Sequence, residues 1–83
     1  MINKIFALYD NVVGAYLNPF PQSTLGSAER ACVDLLSDKQ NNVAAHAADY
    51  HLYYLADFDN ETGVHTNVTP PQLVRKLGEL TVR

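Results

Sequence analysis

Three carboxylates lie close enough in the sequence to share a cation: Asp57, Asp59 and Glu61. Hard cations such as Ca²⁺ and Mg²⁺ take clustered carboxylate oxygens as ligands. The same residues also stand where an apolar strand runs into turn formers, and Asp at such a position commonly bonds to the local backbone. The longer alternation and distant Glu of an EF-hand loop are missing, so the pattern favours a strand end and turn over a metal site.

Three histidines could also bind a metal ion: His46, His51 and His65. His51 and His65 would lie opposite each other if the segments that carry them pair as a hairpin. The chain shows no Cys/His spacing typical of a structural zinc site, and scattered histidines of a small protein usually face solvent. We therefore expect no metal and no other cofactor.

Cys32 is the only cysteine, which excludes a disulfide within one chain. A nucleophilic thiol needs a base partner and an activating environment, and the sequence indicates neither. Cys32 lies instead on the apolar side of a predicted helix, where a buried and inert thiol is expected. Because the chain also lacks a Gly-rich phosphate loop, a serine elbow and a paired acid/base motif, we expect no catalytic residue and no enzyme.

Aromatic and basic residues allow a different chemistry, since exposed aromatic rings on a sheet can stack on unpaired bases while cations contact phosphates. The alternation along residues 50–58 places Tyr53 with His51 and Asp57, and assigns Tyr54 and Phe58 to the core face. Arg75–Lys76 is the only adjacent pair of cations. The candidate nucleic-acid-binding residues are Tyr53, Arg75, Lys76, His51 and Lys4. The alternatives are cross-strand packing for the aromatics and a solvated helix face for Arg75–Lys76.

The elements that would position these residues are two hairpins and two helices. Residues 2–10 predict a central strand and residues 12–17 a second strand ended by Pro19 and Pro21. Ser23 or Thr24 caps a helix that reaches about Ser37. After a short helical turn within residues 43–48, the second hairpin combines strands 50–58 and 64–68 around turn 59–63, in which Gly63 is free to take a positive φ.

The last predicted element is a helix that opens at Thr69–Pro70–Pro71 and carries an apolar stripe of Leu73, Val74, Leu77 and Leu80. The order is then β-β-α-β-β-α. We expect an α+β fold in which a small antiparallel sheet of two hairpins has both helices packed on one side, as a single domain over residues 1–83.

Size and charge limit the function classes. The chain has 83 residues, 47% of them hydrophobic and 18% charged, which is ordinary for a globular domain. A core of this size contributes only roughly 3–5 kcal/mol, so we expect a homo-oligomer, a dimer or larger. The formal net charge of −3 lacks the global basic footprint of simple polyanion binders. We predict no secretory signal and no membrane segment, hence a soluble, intracellular protein.

Two groups of residues resemble a known family. The first comprises Ala7–Leu8–Tyr9–Asp10, Gly14–Ala15–Tyr16 and Asn18–Pro19–Phe20; the second lies within residues 46–63 and includes Asp49–Tyr50, Leu52–Tyr53, Phe58–Asp59 and Glu61–Thr62–Gly63. Together they are similar to the small nonstructural protein of gokushovirus-type microviruses, over about residues 3–80. Two positions depart from that family's pattern: Pro21 follows Phe20, and Ala47 follows His46.

The resemblance implies a protein of single-stranded DNA phages that is described as a DNA-binding or DNA-synthesis accessory protein. It implies the cytoplasm of the host bacterium as location and supplies no residue-level chemistry. We therefore expect a nonenzymatic accessory protein that binds single-stranded DNA weakly and without sequence preference, as an oligomer, during genome synthesis or packaging. The alternative is an interaction module that binds a phage or host replication or capsid protein without touching DNA, as the acidic balance favours.

Overall fold

The computed structural model describes residues 1–80, which form a five-stranded antiparallel sheet with helices on one face. The predicted α+β class is confirmed. In chain order the elements are β1 (Ile2–Asp10), β2 (Ala15–Tyr16), β3 (Phe20–Gln22), α1 (Leu25–Ser37), α2 (Asn42–Ala45), a 3-10 turn (Ala47–Asp49), β4 (Tyr50–Asp59), β5 (His65–Lys76) and a second 3-10 turn (Leu77–Glu79). The strand order is β2-β1-β4-β5, and β3 also pairs with β1.

The centre of the sheet is the long pairing of β1 with β4, as predicted for a first strand that is apolar on both faces. The register runs from Ile2 opposite Asp59 to Asp10 opposite Tyr50. It shifts by one residue at Leu55, which has no partner on β1 and therefore forms a β-bulge. Because a bulge reverses the alternation of side chains, residues after Leu55 face the side opposite to the one that simple alternation predicts.

The core forms where α1 packs on one face of the sheet. Thr24 is the N-cap of this helix: its hydroxyl accepts the N–H of Ser27, and the Ser27 hydroxyl accepts the N–H of Thr24. The predicted helix and cap are thus confirmed. The buried residues Ala28, Cys32 and Leu36 recur every four positions and meet a group of sheet and turn residues that comprises Phe6, Leu8, Tyr50, Leu52 and Leu77.

The second predicted strand is much shorter than expected. The Asp10 carboxylate accepts the backbone N–H groups of Val12 and Val13, and Gly14 takes a φ of +78°, so residues 11–14 form the turn. Only Ala15–Tyr16 remains as β2. A further short strand, β3, was not predicted because it contains Pro21; β3 pairs with β1 at the sheet edge, where a missing N–H is tolerated.

The predicted helix that opens at Thr69 is wrong, since β5 continues as a strand to Lys76. Pro71 disfavours helical backbone at Pro70, and the residues on both sides of the prolines pair with β4, which keeps the segment extended. The four residues 68–71 bulge out of the pairing with β4. Only the short turn Leu77–Glu79 is helical; it buries Leu77 and takes the place of the second predicted helix.

The outer edge of the sheet is β5, and Pro70 and Pro71 in its middle lack the N–H groups that a further strand would need.

Within residues 1–80, no helix is long and apolar enough to cross a membrane. The predicted hairpin turn is confirmed, because Gly63 follows the end of β4 with a φ of +77°.

Candidate nucleic-acid interface

The sheet has one face covered by α1 and one face that we call the open face. Cross-strand partners share a face, so the register assigns each side chain. None of the open-face residues belongs to the core cluster under α1 or packs against it. They are Asn3, Ile5, Ala7, Tyr9, Tyr16, Pro21, His51, Tyr53, Ala56, Phe58, His65, Asn67, Leu73 and Lys76.

Three tyrosines, Tyr9, Tyr16 and Tyr53, form what we call the tyrosine cluster on this face. Their ring centroids lie 4.8 Å (Tyr9–Tyr16), 6.0 Å (Tyr9–Tyr53) and 5.7 Å (Tyr16–Tyr53) apart, each pair edge to face. Tyr16 is 43% exposed, and the other two are half-buried. The pKa of Tyr16 is raised, first by desolvation and then by the nearby Tyr53 and Tyr9 hydroxyls. The cluster therefore presents aromatic surface to solvent.

Positive charge lies beside the tyrosine cluster. His51 is paired with Tyr9 on one side and with Lys76 on the other, so these side chains occupy one row across the sheet. Leu73 lies opposite Tyr53 in the next row and is 42% exposed. The structure thus brings three of the predicted binding residues together: Tyr53, His51 and Lys76.

The other two predicted binding residues lie on the covered face. Arg75 approaches Glu29 of α1, with Nε 3.2 Å and Nη2 3.1 Å from Oε1. Lys4 Nζ lies 3.8 Å from Asp57 Oδ1 and donates to Tyr54 Oη at 3.4 Å. The adjacent cations Arg75 and Lys76 therefore face opposite sides of a strand, instead of pointing outward together from a helix.

Carboxylates are separated from the open face. Of the nine in the chain, none occupies a position of the open face as the structure describes it over residues 1–80. Glu29 and Asp34 are on α1, on the far side of the sheet, and Asp59 and Glu61 surround the N-terminal ammonium group. A sheet and a packed layer are about 10 Å apart, so the carboxylates of α1 act on the open face only from a distance.

The carboxylates near the second hairpin do not converge on a cation. Asp57 pairs with Lys4, while Asp59 Oδ1 accepts the N–H of Glu61, the principal reason that the pKa of Asp59 is lowered. Within residues 1–80, no group of three His, Cys, Asp or Glu side chains could hold a metal ion. His51 and His65 are not opposite each other as expected, because Lys76 faces His51 and Phe58 faces His65.

Cys32 is buried in the core, where desolvation, with a smaller contribution from Glu29, raises its pKa to about 11. The thiol is therefore protonated at neutral pH. This matches the buried thiol that the sequence predicts.

The bulge at Leu55 explains the two errors in the predicted faces of β4. Asp57 does not share the face of Tyr53, because it lies opposite Lys4 on the covered face, where Tyr54 donates a hydrogen bond to it. That bond is the main reason that the pKa of Tyr54 is raised. Tyr54 packs against the core and is half-buried, whereas Phe58 is on the open face instead of in the core.

Two members of the tyrosine cluster were not among the predicted site residues. Tyr9 alternates with the core residue Leu8 on β1, and this alternation is the sequence signal that could have placed Tyr9 on the face opposite the core. Tyr16 depends on the register of the first hairpin, which Gly14 and the Asp10 turn set.

A groove of about 740 Å³ lies on the other side of the molecule, between α1 and the end of β5. It is lined by cations and carboxylates together, including Arg30, Asp34 and the Arg75–Glu29 pair. Mixed charge of this kind does not favour a polyanion, so the open face is the better candidate for binding nucleic acid.

Comparison with known proteins gives one match. The family model described as Phage ORF5 protein matches residues 3–80, nearly the whole chain. No curated protein and no solved structure matches.

Proposed function

The chain belongs to the Phage ORF5 protein family, and on that premise we propose that it is a nonenzymatic phage accessory protein that binds single-stranded DNA through the open face. The binding is weak, serves genome synthesis or packaging, and takes place in the cytoplasm of the host bacterium. The microvirus resemblance of the sequence supports the nature of the ligand, and the geometry of the open face supports the location of the site.

One observation carries the proposal: the open face combines the tyrosine cluster with Lys76 and His51 and holds no carboxylate among the described residues. Base stacking on aromatic side chains contributes about 1–3 kcal/mol per base and tolerates any sequence. Phosphate contacts to Lys76 add an electrostatic component that salt weakens. The two kinds of contact lie side by side, as a single strand with alternating phosphates and exposed bases requires.

The net charge of −3 is compatible with this surface because the charge is unevenly placed. The carboxylates of α1 lie across the sheet from the open face, whereas Asp59 and Glu61 lie around the N-terminal ammonium group, at the end of β4 beyond Phe58. With few cations on the face, affinity is expected to be modest and to depend chiefly on stacking. Sequence readout needs fixed donors and acceptors on base edges, and the aromatic surface offers few of them.

Arg75 and Lys76 provide a matched pair of variants that tests the proposal. Each loses one positive charge on conversion to alanine, yet only Lys76 lies on the open face. Lys76→Ala should weaken binding of a fluorescent oligo-dT and reduce the slope of log affinity against log salt by about 0.7. Arg75→Ala removes a partly exposed pair with Glu29, which contributes at most about 1 kcal/mol to stability. Its binding slope should match that of the wild type.

Anisotropy titrations at several salt concentrations measure both slopes. Equal effects of the two variants would show that only overall charge matters, and the open face would lose its assignment. Absence of binding at the lowest salt concentration would exclude the proposal altogether.

The second candidate is an interaction module that binds a phage or host replication or capsid protein without DNA. The observation in its favour is the exposed apolar surface of the open face, with Tyr16 and Leu73 each more than 40% exposed. A protein partner would make Leu73→Ala at least as damaging as Lys76→Ala in a pull-down with infected-cell proteins. For DNA, the tyrosines and Lys76 matter more than Leu73.

We also propose that the chain is a homo-oligomer, as its small core suggests. Exposed apolar residues outside the open face are available for such a contact at both ends of β1: Val12 and Val13 follow its last residue, and Ile2 and Val64 lie at its other end. A contact at either end leaves the tyrosine cluster and Lys76 uncovered in the proposed oligomer.

A further inference from the structure

The open face carries a second aromatic site, at the other end of β4 from the tyrosine cluster. Phe58 and His65 are direct cross-strand partners, and their ring centroids lie 4.7 Å apart with an interplanar angle of 37°. His65 is exposed and Phe58 is half-buried, and Phe58 makes no packing contact with the core. We refer to these two residues as the Phe58–His65 pair.

The bulge at Leu55 is what brings the Phe58–His65 pair to the open face. Without it, Phe58 would share the covered face with Tyr54, since the two are four residues apart in one strand. With it, Phe58 faces the same side as Tyr53. The single row between them contains Pro21, Ile5, Ala56 and Asn67, which are uncharged, and Ala56 is buried to 6% exposure. The path between the two aromatic sites is therefore free of charged side chains.

The separation of the two sites follows from the geometry of the strand. Tyr53 and Phe58 pair with Ala7 and Asn3, which are four residues apart on β1 because the bulged Leu55 adds no length; at about 3.3 Å per residue this corresponds to about 13 Å. A nucleic-acid strand that advances about 3.4 Å per nucleotide covers this distance in about four steps, and a more extended strand in fewer. An oligonucleotide of about six nucleotides is therefore long enough to reach both sites, whereas a dinucleotide reaches only one.

We infer that the Phe58–His65 pair is a second stacking site for the same DNA strand, which runs along β4 and occupies up to about six nucleotides per chain. This inference rests on the proposed function, because it defines the length and direction of the ligand on the open face. Phe58 and His65 offer ring faces to a base, and His65 also offers an N–H donor to a phosphate. No carboxylate of the described residues lies on the path.

A length series of oligo-dT tests the inference. For the wild type, affinity should rise by about five-fold or more between two and about six nucleotides, as the second site becomes occupied. Beyond that length it should grow only slowly, with the number of equivalent binding positions. His65→Gln combined with Phe58→Leu retains apolar volume but removes both rings, and should abolish this rise while the dinucleotide still binds at the tyrosine cluster.

The matched control is His46→Gln, which removes an exposed histidine at the end of α2, away from the open face. It should keep the rise in affinity with length. Because Phe58→Leu alters a half-buried residue, His65→Gln alone is measured as well: it should reduce the rise with no change in thermal stability.

Four outcomes would overturn the inference. If long oligo-dT binds with a slope that depends on Lys76, yet affinity shows no rise at about six nucleotides, the proposed function survives and the second site does not. The same holds if the double variant keeps the rise. If light scattering shows that the double variant loses a dimer while its length profile is unchanged, the pair is a contact between copies of the chain. Absence of binding at every length would instead refute the proposed function, and with it this inference.

Discussion

A substitution of Gly78 by alanine tests the C-terminal part of the fold. A helix and a 3-10 turn at this position predict changes in stability of opposite sign. In a helix, Gly78→Ala would stabilise the protein by up to about 1 kcal/mol. In the structure, Gly78 lies in the 3-10 turn that packs on the first 3-10 turn, and an added Cβ would stand 3.2 Å from the Cα of Ala48. This contact involves backbone, which cannot rotate away, so alanine should destabilise the fold.

The expected magnitude is about 1 kcal/mol or somewhat more, at the lower end of the range for overpacking, since a shift of a few tenths of an ångström relieves the contact. For a domain of this size, 1 kcal/mol lowers the melting temperature by roughly 4–8 °C. Circular dichroism melts measure the shift. Gly26→Ala is the matched control, because Gly26 lies in α1 with only the Thr24 hydroxyl at 3.8 Å from the added Cβ, so alanine should raise stability.

A Gly78→Ala variant that melts at a higher temperature than the wild type would refute the packing of the two 3-10 turns and favour the helix instead. A Gly26→Ala variant that is strongly destabilised would show that the contacts of the added Cβ do not explain the melting temperatures of these variants. Gly63→Ala adds a third comparison: space is open there, but the φ of +77° should make alanine unfavourable by about 1 kcal/mol.

Three further predictions concern the core, the covered face and the assembly. Cys32, with its pKa raised to about 11 by burial, should react with a thiol reagent at pH 8 far more slowly in the native protein than in denaturant; equal rates would contradict its burial. Tyr54→Phe removes the hydroxyl that bonds to Asp57 and Lys4 and should cost about 1 kcal/mol in a denaturant titration, without changing DNA affinity. A loss of affinity with no loss of stability would place Tyr54 in the site. Light scattering should give a mass of at least twice 9.2 kDa, and a monomer at high protein concentration would rule out the oligomer.

The helix α1 and the first half of β4 were predictable because their signals are local. The Thr24 cap and the four-residue spacing of Ala28, Cys32 and Leu36 define α1 without reference to the rest of the chain. The strict alternation of β4 from Tyr50 to Tyr54 defines a strand in the same way. Each of these patterns has one dominant structural interpretation.

The C-terminal part was not predictable, because Thr69–Pro70–Pro71 is compatible both with the start of a helix and with an edge strand whose prolines prevent pairing with a further strand. Tertiary pairing with β4 decides between them. The bulge at Leu55 is likewise set by long-range register and has no signal in the sequence, yet it reverses the faces of Asp57 and Phe58. The membership of the open face therefore depends on contacts between strands, and only Tyr53 and His51, which precede the bulge, could be paired from alternation alone.

The central claim is that single-stranded DNA binds to the open face. An NMR titration of the isotope-labelled protein with oligo-dT of about twelve nucleotides tests it most directly, since each residue reports its own environment. We expect the amide resonances of Tyr9, Tyr16, Tyr53, His51 and Lys76 to shift together with the ring resonances of the tyrosines and His51, while the resonances of Glu29 and Cys32 in α1 stay in place. Shifts confined to α1 and the groove beside Arg75, or no shifts at low salt, would contradict the claim.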